Sequence, residues 1–146
     1  MKRALWILAI VAVMTLASVD ALACTCELPW PQRSLKQQVE KARKDSRAVF
    51  SGRVLRIDEA GYMLKVTLIV ENSWKERLPK EVVLFTGRGG GDCGYRFEVG
   101  EDYLVYAYFG GTALGTNICQ RTTPLSGGAD DIKILGKPKR KQMRPA

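Results

Sequence analysis

The sequence predicts a mainly β domain: a small closed or partly open barrel of five short strands, with a helix ahead of it and a short helix after it. Three observations carry this. Five stretches (48–57, 62–70, 81–86, 102–109 and 116–120) are rich in β-branched and aromatic residues or alternate with a period of two. Glycine-bearing breaks separate several of them, at Gly61, at 87–94 and at Gly110-Gly111. Only one early segment keeps a helical period. Closure removes exposed strand edges, and a five-stranded OB-type barrel is one such solution.

The helix is predicted over 34–43. Leu35, Val39 and Ala42 fall at i, i+4 and i+7 among charged and amide residues, and Ser34 is placed to cap the first turn. Ahead of it, Pro29 and Pro31 exclude regular structure. In the first strand Gly52 marks a bulge or bend. The turn that follows is placed at Glu59-Ala60-Gly61. In the second strand Met63, Lys65, Thr67 and Ile69 share one face, and Leu64, Val66, Leu68 and Val70 share the other. Both faces are largely apolar, as in a barrel wall that also packs on a helix. Trp74 ends this strand as a core or rim residue. Residues 87–92 form a loop. It lacks the Gly-Lys-Ser/Thr ending of a phosphate loop, so turn geometry accounts for its glycines. Tyr103, Tyr106 and Tyr108 alternate in a strand, which favours barrel packing over a base-stacking surface. A short helix is expected within 124–135, ending at Gly136.

Residues 1–23 read as a cleaved export signal. Lys2 and Arg3 precede an apolar run over 4–19, and Ala21-Leu22-Ala23 has the small-x-small form of a peptidase site. The run is shorter than the ~20 residues of a membrane span. Cleavage after Ala23 makes Cys24 the first mature residue. A lipid-anchored terminus is the rival reading, but Leu22 stands one place too late for a lipoprotein site. The mature chain is therefore expected to be secreted, extracellular or periplasmic. Residues 24–136 form the domain and 137–146 a basic, disordered tail. No transmembrane span is expected in the mature chain.

The four cysteines, Cys24, Cys26, Cys93 and Cys119, all follow the signal, and export to an oxidising compartment predicts two disulfides. Four cysteines allow three pairings, and spacing does not choose among them. A structural zinc site is disfavoured, because only Cys24 and Cys26 are close in sequence and the chain has no His. The same lack of His excludes His-based catalysis. No nucleophile elbow is present, so the protein is not expected to be an enzyme and no cofactor of its own is expected. The net charge is +8. Lys137, Lys139, Arg140, Lys141 and Arg144 stand in the last ten residues without an acid. This tail is a solvated end or a tether to anionic envelope or matrix polymers. No nucleic-acid partner is expected.

Cys24-Thr25-Cys26 at the predicted mature terminus resembles the Cys-x-Cys start of the tissue inhibitors of metalloproteinases. Ala48-Val49-Phe50-Ser51-Gly52-Arg53-Val54 resembles that family's first barrel strand. Cys93-Gly94-Tyr95 with Phe97, then Tyr103-Leu104-Val105-Tyr106 and Cys119, resemble its later segments. The similarity runs over 24–136 and is closest to single-domain, prokaryote-type members. It implies an OB-fold barrel and the pairings Cys24–Cys93 and Cys26–Cys119. It also implies a mechanism, in which the amine and carbonyl of Cys24 chelate the catalytic zinc of a target endopeptidase. Thr25 would enter the adjoining specificity pocket, with Cys26, Gly91, Asp92 and Cys93 in contact with the protease. Asp92 departs from the aliphatic residue common at its position. The family's second domain and a further disulfide are lacking. The alternative is a non-inhibitory envelope or extracellular module that uses Trp30 or the basic tail.

Overall fold

A computed structural model describes residues 24, 26 and 33–141. The predicted signal, Thr25, Trp30 and residues 142–146 with Arg144 lie outside the described residues. Helix α1 is Leu35–Asp45. The strands are β1 (Ala48–Ala60), β2 (Met63–Ser73), β3 (Glu81–Thr86), β4 (Asp102–Gly110), β5 (Ala113–Gly115), β6 (Thr123–Pro124) and β7 (Arg140–Lys141), with α2 (Ala129–Leu135) between the last two.

Five strands close on themselves. The order β1-β2-β3-β5-β4 returns to β1, because β1 pairs with both β2 and β4. All of these pairings are antiparallel except β3 with β5, so the barrel is mixed. One long strand serves two neighbours: Ala48 to Arg53 face β4, and Phe50 to Ala60 face β2. The register shifts between Ser51 and Gly52, where the strand turns from one neighbour to the other. A Cβ on Gly52 would sit 2.5 Å from the Ile69 carbonyl oxygen, so only glycine fits this crossing.

The alternation of β1 and β4 divides the core in two. Phe50, Val54, Val66, Leu68, Leu84 and Val105 point into the barrel. Val49, Leu104 and Tyr106 point outward and are covered by Val39 of α1 and Leu135 of α2. The helices thus pack over β1 and β4, not over β2 as the two apolar faces of that strand suggest. Leu35, expected on the apolar face of α1, is 41% exposed; Val39 and Ala42 make the contact.

Both ends of α1 are satisfied. Ser34 and Gln37 form a reciprocal capping box: the Gln37 N–H donates to Ser34 Oγ and the Ser34 N–H to Gln37 Oε1. At the other end Lys75 donates its ammonium to the carbonyls of Arg43, Lys44 and Ser46, placing a cation at the negative end of the helix. Trp74 is buried against the helices and donates its indole N–H to the Gly136 carbonyl (2.8 Å), which fixes the end of α2.

Several boundaries differ from the sequence reading, among them the ends of α1 at Asp45 and of β2 at Ser73. Strand β1 runs to Ala60, and the turn is Gly61-Tyr62, because Ala60 pairs with Met63. The fifth barrel strand is Ala113–Gly115 rather than 116–120: the Gly111-Thr112 turn is only two residues, so pairing with β4 begins at once. The chain then leaves the sheet, with the Thr116 side chain turned inward onto the Tyr106 carbonyl and Thr122. Finally, the C-terminal helix starts only at Ala129, after a single 3-10 turn at Leu125–Gly127. The basic segment is also less free than expected. The Lys139 N–H donates to the Ser73 carbonyl (2.7 Å), and β7 pairs with Asn72 and Ser73 of β2.

Candidate functional site

Cys24 is bonded to Cys93 and Cys26 to Cys119, with Cα–Cα distances of 5.3 and 5.1 Å. This is the pairing implied by the resemblance. The two bridges stack, with the sulfurs of Cys24 and Cys119 3.9 Å apart. The sulfurs of Cys24, Cys93 and Cys119 all lie within 4.8 Å of one another. Each is in a disulfide and offers no thiolate to a metal.

The bridges hang from two loops at one end of the barrel. The first, residues 87–94, follows β3 and is organised around Asp92. Its carboxylate accepts N–H bonds from Arg88 (2.6 Å), Gly89 (2.9 Å) and Gly94 (2.9 Å). These hold its pKa below the usual carboxylate value, the Gly94 bond most and the Arg88 bond next, against the opposing effect of desolvation. The loop has no room for side chains at its base. A Cβ on Gly94 would lie 2.3 Å from the Gly87 carbonyl, and one on Gly87 would strike the Asp92 carboxylate. Gly91 sits exposed beside Asp92.

Cys93 closes the loop with φ 59° and ψ 14°, a left-handed conformation that costs an L-residue roughly 1–2 kcal/mol. Surrounding bonds hold it there: the Gly94 N–H on Asp92, the Ile118 N–H on the Cys93 carbonyl (3.0 Å), and the disulfide to Cys24. After the loop, Tyr95 and Phe97 each meet Tyr103 edge to face and meet each other at a tilt, with centroids 4.8–6.0 Å apart. Burial pushes the Tyr95 hydroxyl up to about 12. The loop is also tied sideways. The Arg88 guanidinium donates to Glu59 (3.2 Å) and to the Gly61 carbonyl (3.0 Å) at the β1–β2 turn. Tyr62, at that turn, is 95% exposed.

The second loop, residues 116–122, carries Cys119 and leads to a polar group that the sequence did not disclose. Arg121 makes two hydrogen bonds to the buried Asp131 carboxylate (2.9 and 2.7 Å) and a third to Gln38 of α1 (3.2 Å). Tyr106 donates its hydroxyl to the same carboxylate (2.9 Å). Burial, and then Asp131, raise the Tyr106 pKa. Both loops are thereby locked to the barrel or its helices. Among the expected contact residues, Cys24, Cys26, Gly91, Asp92 and Cys93 are brought together at this end, whereas Thr25 lies outside the described residues. Arg88, Ile118 and the Asp131 group were missed. The Asp in a glycine-rich loop was the available signal for the first of these, since Asp readily accepts nearby backbone N–H groups.

No family model matches the chain, and no curated protein matches it. No helix among the described residues is long and apolar enough to cross a membrane.

Proposed function

We propose that the chain, cleaved after Ala23 and exported, is a protein inhibitor of zinc endopeptidases. The amine and carbonyl of Cys24 would chelate the protease zinc and replace the water that such a zinc holds open for catalysis. One observation carries the reading: Cys24 is bridged to Cys93 on a loop whose own backbone is fixed by Asp92, Gly94 and Ile118. A terminus fixed in this way gives up little freedom on binding, and such preorganisation favours affinity.

Asp92 bears on the same reading. A free carboxylate beside the zinc-binding end would repel an acidic cleft. Its charge is spread over three N–H bonds within the loop, so it acts as a loop organiser first. Thr25 would supply the specificity contact, with Cys26, Gly91 and Cys93 flanking it.

Adding one residue ahead of Cys24 tests the reading. The amine becomes an amide and cannot bind metal. The form starting at Cys24 is expected to inhibit a zinc endopeptidase, and the extended form to lose inhibition while keeping its melting temperature. Equal inhibition by both forms would overturn the proposal.

A further inference from the structure

The barrel closes, but β1 outruns one of its neighbours. Strand β4 covers an edge of β1 only over residues 48–53. The turn ahead of β4 adds two bonds at Val54, whose N–H donates to the Glu101 carbonyl (3.0 Å) and whose carbonyl accepts from the Gly100 N–H (2.8 Å). Over residues 55–60 no described strand pairs with that edge. The direction of its backbone groups follows from the register on the other edge. Ala60 and Met63 flank a two-residue turn and hydrogen-bond to each other. Alternation along the ladder then turns the N–H and C=O of Ile57 and Glu59 to the open side. A strand left open in this way is a template for another strand.

Charged side chains often blunt such an edge. This one carries Arg56 and Asp58, paired on one face (3.0 Å). The two are opposite in sign and stand either side of Ile57. An antiparallel copy that pairs Ile57 with Ile57 sets Arg56 against Asp58 and Asp58 against Arg56, a square of alternating charge. Pairing centred on Arg56 or on Asp58 sets like charges opposite, which destabilises a strand pair. Glu59 would face Leu55 of the second copy, with its carboxylate already held by Arg88 (3.2 Å). The exposed apolar side chains suit the same register. Leu55, and Val99 next to the Gly100 bond, are exposed at one end of the edge, and Tyr62 is exposed at the turn that closes the other end. Antiparallel pairing brings opposite ends together, so Tyr62 of the second copy would cover Leu55 and Val99.

We propose that the open edge of β1, residues 55–60, docks a second copy of this chain, antiparallel about a twofold axis at Ile57, so that one sheet runs through both barrels. Charge complementarity selects the occupant: the edge is complementary to itself in one register. The contact is short, so the dimer is expected to be weak and reversible, with a dissociation constant on the order of 10–100 µM. The proposal stands apart from protease inhibition, since it calls on no cysteine.

Sedimentation equilibrium from about 1 to 500 µM tests it. The unaltered chain is expected to dimerise. Arg56→Asp and Asp58→Arg each place like charges across the axis and are expected to weaken the dimer about tenfold, with melting temperatures showing that each variant folds. Mixed together, the two variants are expected to regain the unaltered affinity as a heterodimer, seen by native mass spectrometry, because each offers the charge that the other lacks. Misfolding or net charge cannot produce loss in each variant with recovery in the mixture. Single variants that dimerise like the unaltered chain, or a mixture that recovers nothing, would overturn the proposal. So would a chain that stays monomeric throughout, which would leave the edge to a strand of an unlike protein.

Discussion

Asp92 accepts N–H bonds from Arg88, Gly89 and Gly94, and these lower its pKa. A carboxylate depressed in the folded state stabilises its loop above the pKa of the unfolded chain. That stability is lost as pH falls through the folded pKa. Acid below the ordinary carboxylate range is therefore expected to loosen residues 87–94, seen as faster amide exchange at Gly94 relative to barrel strands. Asp92→Asn should exchange faster at neutral pH and lose the acid step; an unchanged step would assign it to another group. Cys24 carries a separate pH dependence. A free α-amine has a pKa of ~7.7–8.0 and must release its proton to bind zinc. Inhibition should fall up to about tenfold per pH unit below that range, once the protease's own profile is subtracted. Gly52 makes a third case at this scale. Gly52→Ala places a methyl 2.5 Å from the Ile69 oxygen and is expected to cost about 2 kcal/mol in urea unfolding.

At the scale of elements, the buried Asp131 couples α2, α1, β4 and the loop that bears Cys119. Asp131→Ala would strand Arg121 and is expected to cost about 3 kcal/mol, whereas Tyr106→Phe removes one hydrogen bond and should cost about 1 kcal/mol. Denaturant unfolding of the two variants separates these values; equal effects would contradict the placing of the charge pair at the centre of the group. Element identity was legible in local pattern. The Ser34 cap, the alternation in β1 and β4 and the Gly52 bulge all rest on neighbours close in sequence or on a glycine with a stated role. What escaped depends on contacts distant in the chain. Arg121 and Asp131 look like surface charges until α2 folds back over β4. The basic stretch after Gly136 looks like free tail until Lys139 meets Ser73. The fifth strand was misplaced because a two-residue turn leaves no periodic signal in a strand of three residues.

At the scale of the whole molecule, the two disulfides close segments of 69 and 93 residues. In the chain-entropy model each loop of that size stabilises the fold by roughly 4–5 kcal/mol. Replacing Cys26 and Cys119 by Ala is therefore expected to lower stability by about 4 kcal/mol, read by denaturant unfolding, while leaving Cys24 bridged to Cys93. A negligible loss would show that barrel packing alone holds the fold. The barrel thus holds Cys24 at one end, while at the other the last turn of α1 is fastened by Lys75. Occupation of the protease zinc by Cys24 is tested most directly by competition with a small hydroxamate that binds that zinc. The account predicts mutually exclusive binding, with the apparent inhibition constant rising linearly with hydroxamate concentration. Undiminished binding of the protein to a protease whose zinc is already held by hydroxamate would contradict it.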